Sequence, residues 1–208
     1  RAVHDGFVQL DIPTEDAEFK TQLPQSQAAE KTDGLTVVLH PSLAIPDSRH
    51  AHNPWLQELP DPITKVTWDN CLTVSPALAR DHGLADNEIV RLSVGDDDAL
   101  EVPVFIQPGQ HDGVRAVSMG YGVSGTERFA TVGPQWLEAG PTVGANGRVG
   151  VSASSLLKID EEGLRHVRGE ARINKTGRRH VLATTQLHDA IEIPAAVSPP
   201  GSRDRRTL

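Results

Sequence analysis

Cysteine is all but missing: Cys71 stands alone in 208 residues. A lone thiol cannot close an internal disulfide, nor supply the thiolates of an iron–sulfur cluster or a cysteine-rich zinc site. Any redox centre built on cysteine must therefore lie outside this chain. Aromatic residues are sparse at 4%, whereas Gly (18) and Pro (15) are frequent, which favours turns and short strands over long helices. No apolar run approaches the ~20 residues of a membrane-spanning helix, and no basic stretch suited to a membrane surface is visible. Lys and Arg (20) are outnumbered by Asp and Glu (28). The net charge of -8 repels phosphate backbones, so nucleic acid is not an expected partner. No signal peptide is legible, and the first residue is Arg1 rather than Met, so a fragment or a processed product is expected.

What is present suits a globular chain with irregular segments: 38% hydrophobic and 23% charged residues. The length predicts one main domain with extensions. Residues 1–34 end in a polar stretch closed by Asp33-Gly34 and read as an arm or linker. Residues 35–192 carry the patterned part, and 193–208 are a Pro-, Ser- and Arg-rich tail. Strands are predicted at 35–39, 72–74, 88–94, 99–106 and 114–119, with further candidates at 151–159 and 180–185. Ser75-Pro76 opens a short helix and Gly83 ends it, because Ser caps orphan N–H groups, Pro suits the first helical position and Gly tolerates a left-handed backbone. Asp96 to Asp98 form a hairpin tip. Pro103 cannot donate to a ladder, which predicts an edge or a bulge there. Residues 40–62 hold five prolines and form a long loop, and residues 120–150 read as glycine-rich loop.

Several constellations could carry chemistry. Gly120-Tyr-Gly-Val-Ser-Gly125 fits G-x-G-x-x-G after a strand, but no following amphipathic helix completes a dinucleotide-binding βαβ unit, so a tight turn at a barrel rim is the expectation. His50 and His52, with His40 nearby, lack a fixed third ligand and read as loop histidines. Asp96 to Asp98 lack the spacing of a calcium loop. There is no G-x-S-x-G elbow, and Cys71 reads as buried and inert. Trp55, Leu56 and Trp68 are anchors, either covering the barrel's own end or docking on a neighbouring domain.

The stretch from Thr73 to Leu92, followed by a hairpin and the Gln107-Pro-Gly109 turn, resembles the dinucleotide-binding domain of molybdopterin oxidoreductases. The resemblance implies a mainly β fold, a six-stranded double-psi β-barrel like that of aspartate decarboxylase, with short helices and long loops. A second run, NPWLQELPDPITKVTWDN from Asn53 to Asn70, is similar to the molybdopterin-oxidoreductase-like iron–sulfur subunit of alternative complex III. Met119-Gly-Tyr-Gly122 and Ala183-Thr-Thr-Gln-Leu-His188 match further marks of that group, and the resemblance covers about residues 35–192. Three departures stand out: Val123 where the group has Arg, Ser152-Ala153 after Gly147-Arg-Val-Gly150 where it has Asn-Ala, and Glu192-Ile-Pro where it has an acidic-Gly-Arg run.

The resemblance implies a non-catalytic scaffold in a membrane-associated, quinol-oxidising electron-transfer complex, exported or peripheral to a bacterial membrane. Its partners would be other domains of the parent protein and subunits of the complex, and the iron–sulfur clusters would lie elsewhere in that parent. In the resembled subunits the molybdenum cofactor is absent. The alternative is a genuine domain that grips a molybdopterin guanine dinucleotide through glycine N–H groups and polar loop side chains. A self-processing decarboxylase on the same fold would need a Gly-Ser cleavage site in use, and Gly201-Ser202 lies in the tail. Should an ancestral cofactor rim survive, His40, Gly120, Gly122, Gln186 and His188 are expected to gather on it, since each follows an apolar strand. The competing reading has Gln186 and His188 only tying down the C-terminal segment.

Overall fold

In the computed structural model, which describes residues 35–95, 99–129, 147–160 and 163–185 with His4 and Gly6, the local signals act as expected around Ser75. Its hydroxyl accepts the Leu78 N–H at 3.0 Å, and Pro76 starts helix α2, Pro76–His82. Gly83, at φ 60°, ends it, with Gly83 N–H on Arg80 O and Leu84 N–H on Ala79 O. The long loop before it contains a helix that sequence reading did not resolve: α1, Pro54–Gln57, capped by the Asn53 side chain on Trp55 N–H.

Nine strands follow in chain order: β1 Thr36–Pro41, β2 Leu72–Val74, β3 Glu88–Val94, β4 Leu100–Ile106, β5 Val114–Met119, β6 Lys158–Asp160, β7 Gly163–Arg165, β8 Val167–Arg168 and β9 Ala171–Arg179. Seven form a mixed sheet in the order β8-β1-β5-β2-β4-β3-β9, and β6 and β7 form a separate hairpin. The pairs β1–β5 and β2–β4 are parallel; β1–β8, β2–β5, β3–β4 and β3–β9 are antiparallel. The fold is mainly β, a curled sheet forming half a barrel, with few helices. The two edge strands, β8 and β9, are successive pieces of one stretch of chain. At the first residue of β9, Ala171 N–H reaches Leu35 O beside β1. The chain divides into two units, Arg1–Lys31 and Thr32–Leu208, and all nine strands belong to the second.

One face of the sheet carries the main core. Val37 and Leu39 of β1, Val117 of β5, and Val90 and Leu92 of β3 are at most 1% exposed, and Leu78 of α2 and Leu156 of a 3-10 turn, Ala153–Leu156, join them. Burying each such side chain contributes about 1.5–3 kcal/mol.

Three expectations change. Pro103 lies in β4, an interior strand, rather than at an edge. Its missing N–H is tolerated because the strand changes partners there: pairing with β3 ends at Ile89–Pro103 and pairing with β2 begins at Leu72–Val104. Residues 151–159 are a 3-10 turn followed by β6, and 180–185 make only a bridge between Thr184 and Val66. Strand β9 was not expected at all. It is an edge strand carrying Arg172, Lys175, Arg178 and Arg179, and such charged edges lack the apolar alternation that marks a strand in sequence. The Asp96–Asp98 tip, the segment 130–146, the tail, and the arm other than His4 and Gly6 lie outside the described residues.

Candidate functional site

A cavity of about 400 Å³ opens on the face of the sheet opposite the core. Strand alternation decides which side chains reach it. Val38 and His40 from β1, Val114, Ala116 and Ser118 from β5, and Thr73 from β2 point into it, whereas Val37, Leu39, Arg115 and Val117 are buried on the other side. Loop 61–70 supplies a further wall with Asp61, Ile63, Thr64, Val66, Asp69 and Asn70, and Cys71, Gln107, Gln110, Ser42 and Tyr121 also line it.

The loop is built by its own polar side chains. Asp61 Oδ1 accepts the N–H groups of Ile63 (3.0 Å) and Thr64 (2.8 Å) and the Thr64 hydroxyl (3.0 Å), an Asx turn around Pro62. Trp68 adopts φ 61°, rare for a bulky residue. It is held there by its N–H on Gln57 O and by packing on Phe129, ring centroids 5.6 Å apart. Asn70, 1% exposed, then stitches three segments together. Its amide donates to Ser118 O (2.9 Å) and Val151 O (2.8 Å), and its Oδ1 accepts Val151 N–H (2.9 Å). Asp69, with a fully buried side chain, meets His180 Nε2 at 2.9 Å. The segment after His180 straps the loop down through Thr67 N–H on Ala183 O and Thr185 N–H on Lys65 O.

Burial shifts two groups at the cavity, Cys71 and Tyr121. The Cys71 thiol is pushed well above the usual range by desolvation, with Asp69, Asp61 and Asp86 adding to it. The Tyr121 phenol is pushed up to about 12, chiefly by desolvation and against the pull of its hydrogen bond with Ser42. Burial favours the neutral phenol, so its contribution to stability is complete below pH ~10, the unfolded value, and is lost as pH rises through 12. The chain has one tyrosine. An ultraviolet tyrosinate titration therefore reads Tyr121 alone, and a native midpoint near 10 would disprove its burial.

His40 lines the cavity and pairs in register with Ser118, and Tyr121, between Gly120 and Gly122, lines it too. Gln186 and His188 lie outside the described residues; the described chain reaches Thr185, against the same loop. At Gly120 an added Cβ would sit 1.8 Å from Ile45 O, and at Gly122 2.5 Å from Ser152 N. The protein's own backbone occupies the space those glycines open. The run through Gly125 leads to a 3-10 turn, Glu127–Phe129, not to a helix of a βαβ unit. His50 and His52 are exposed. The two tryptophans of the loop part company: Trp68 is buried with Phe129 and Val149, while Trp55 is 81% exposed. Sequence reading missed Asn70, the Asp69–His180 pair, Gln107 and Gln110. Asn70, Asp69 and Gln110 each have a partner 37 to 111 residues away, which no sequence spacing records.

A solved structure to which the chain is similar is acetylene hydratase from Pelobacter acetylenicus, at 16% identity and a TM-score of 0.38, over 68% of this chain and 18% of that one. The chain thus spans less than a fifth of that protein's length. No protein-family profile matches the chain, and no curated protein matches it.

A pterin–guanine dinucleotide carries a pyrophosphate, and the cavity does not suit one. Among the described residues, the side chains that line it include the carboxylates of Asp61 and Asp69 and no Lys or Arg. The glycine turn that would present N–H groups to a phosphate is filled by Ile45 and Ser152.

Proposed function

We propose that this chain is a non-catalytic scaffold domain of a molybdopterin oxidoreductase-like subunit, in a membrane-associated, quinol-oxidising electron-transfer complex, and that it holds no molybdenum cofactor of its own. The observation that carries the second half is the cavity's lining, which among the described residues holds two carboxylates and no Lys or Arg, where a pyrophosphate would need cations or free N–H groups. The first half rests on the run from Asn53 to Asn70, which resembles the alternative complex III subunit. That run builds one wall of the cavity and leaves Trp55 and Leu59, which do not line it, exposed. Exposed large apolar side chains on a conformationally tied loop suit a domain that docks on a neighbour.

The same reading takes the curled sheet as a double-psi barrel spanning 35–192, flanked by an arm and a tail. It is supported by two parallel strand pairs joined through antiparallel β2–β5, and by the continuity of β8 with β9 across the sheet's two edges.

Purification of the intact parent assembly followed by molybdenum and pterin analysis tests the cofactor claim. The expected content is far below one per chain. Stoichiometric molybdopterin bound to this domain would establish the dinucleotide-binding function instead. Trp55→Ala tests docking. Being exposed, Trp55 should change the isolated chain's stability by no more than about 0.5 kcal/mol, while recovery of the parent assembly falls severalfold. Equal loss of stability and assembly would show a core role.

A further inference from the structure

Arg115 is fully buried in the middle of β5, and its Nε, Nη1 and Nη2 have no hydrogen-bond partner among the described residues. Alternation turns it away from the cavity and onto the core face, alongside Val37 and Val117. Desolvation lowers its pKa to about 10, so the group stays cationic at neutral pH. A lone buried cation is among the most unfavourable groups a fold can carry, and a guanidinium cannot escape by neutralising. The sheet register adds a second cation. Arg115 of β5, Val37 of β1 and Arg168 of β8 form one row across three neighbouring strands. Arg168 is half-buried, and its Nη1 donates to Leu156 O at 2.7 Å, against the 3-10 turn that packs on β5. Arg115 thus has all its donors unused, while Arg168 is engaged at the edge of the row. The edge strand β8, two residues long, leaves this end of the row near solvent.

We propose that the Arg115 end of this row is a binding site for a small oxyanion, a phosphate or a carboxylate, held by the planar fork of the Arg115 guanidinium. Two parallel N–H donors matched to two oxygens is the pairing that guanidinium geometry favours, and it satisfies the groups that the described protein leaves unmet. The site is separate from the acidic cavity and does not depend on the scaffold reading.

Thermal unfolding of the full chain tests it, in phosphate, acetate or chloride at matched ionic strength. Wild type should show a saturable rise in midpoint of about 5–10 °C at a hundredfold excess over the dissociation constant. The rise should vanish in Arg115→Met and need at least tenfold more anion in Arg115→Lys, which keeps the charge and loses the fork. A response to phosphate alone assigns a phosphate site, to acetate alone a carboxylate site, and to both the shared oxyanion chemistry. No response beyond the chloride control, or an equal one in Arg115→Met, overturns the proposal. If neither variant folds, the Arg115 Nε–H resonance of wild type decides. It should shift on titration with the stabilising anion, and a resonance that stays still counts against the site.

Discussion

Gly120→Ala should destabilise the chain by at least about 3 kcal/mol, the largest effect expected of any single methyl group here. Two costs add. At φ 103° a side chain occupies a backbone region that L residues rarely adopt. The new Cβ would also stand 1.8 Å from the Ile45 carbonyl oxygen. That neighbour is backbone, in a loop whose Ile45 side chain is fully buried, so it cannot swing aside as a flexible side chain would. The strand end and the 42–45 loop must separate, opening the cavity beside Ser42 and Tyr121. Denaturant unfolding gives the stability change. Labelling of the single buried thiol, Cys71, gives the opening rate of the site. A loss below about 1 kcal/mol would mean that the loop and β5 are not in contact as described. Gly109, at φ 86° with nothing within reach of an added Cβ, is the control: Gly109→Ala should carry the conformational cost alone.

Asn70→Ala should cost about 3 kcal/mol, because truncation removes the amide partner of three partly buried backbone groups: Ser118 O, Val151 O and Val151 N–H. Asn70→Asp is the sharper variant. It keeps an acceptor for Val151 N–H, loses both donations and adds a buried charge beside Asp69, so it should be no better than alanine. The expected signature is a lower unfolding midpoint together with faster labelling of Cys71, the next residue along. Should Asn70→Ala lose less than about 1 kcal/mol, water replaces the amide and the three segments are held by other contacts.

The elements written in local chemistry were readable from the chain. Ser75, Pro76 and Gly83 bound a helix because a cap, a ring-fixed φ and a left-handed stop act within one turn. The alternating runs at 88–94 and 114–119 became β3 and β5 at the expected residues. The length, the scarcity of cysteine and the excess of acidic residues bounded the chemistry before any fold was known. What the tertiary structure alone decided is which face of each strand meets what. In β5 the pattern Val114, Arg115, Ala116, Val117, Ser118 would send Arg115 to solvent by its polarity. Instead both faces are covered, one by the core and one by the 61–70 loop, so the guanidinium is buried and Ser118 borders a cavity. The Asp69–His180 contact joins residues 111 positions apart, and β9 pairs with β3 through backbone groups that every residue type shares. Side-chain pattern records burial preference along a strand; it does not record which distant segment arrives to cover it.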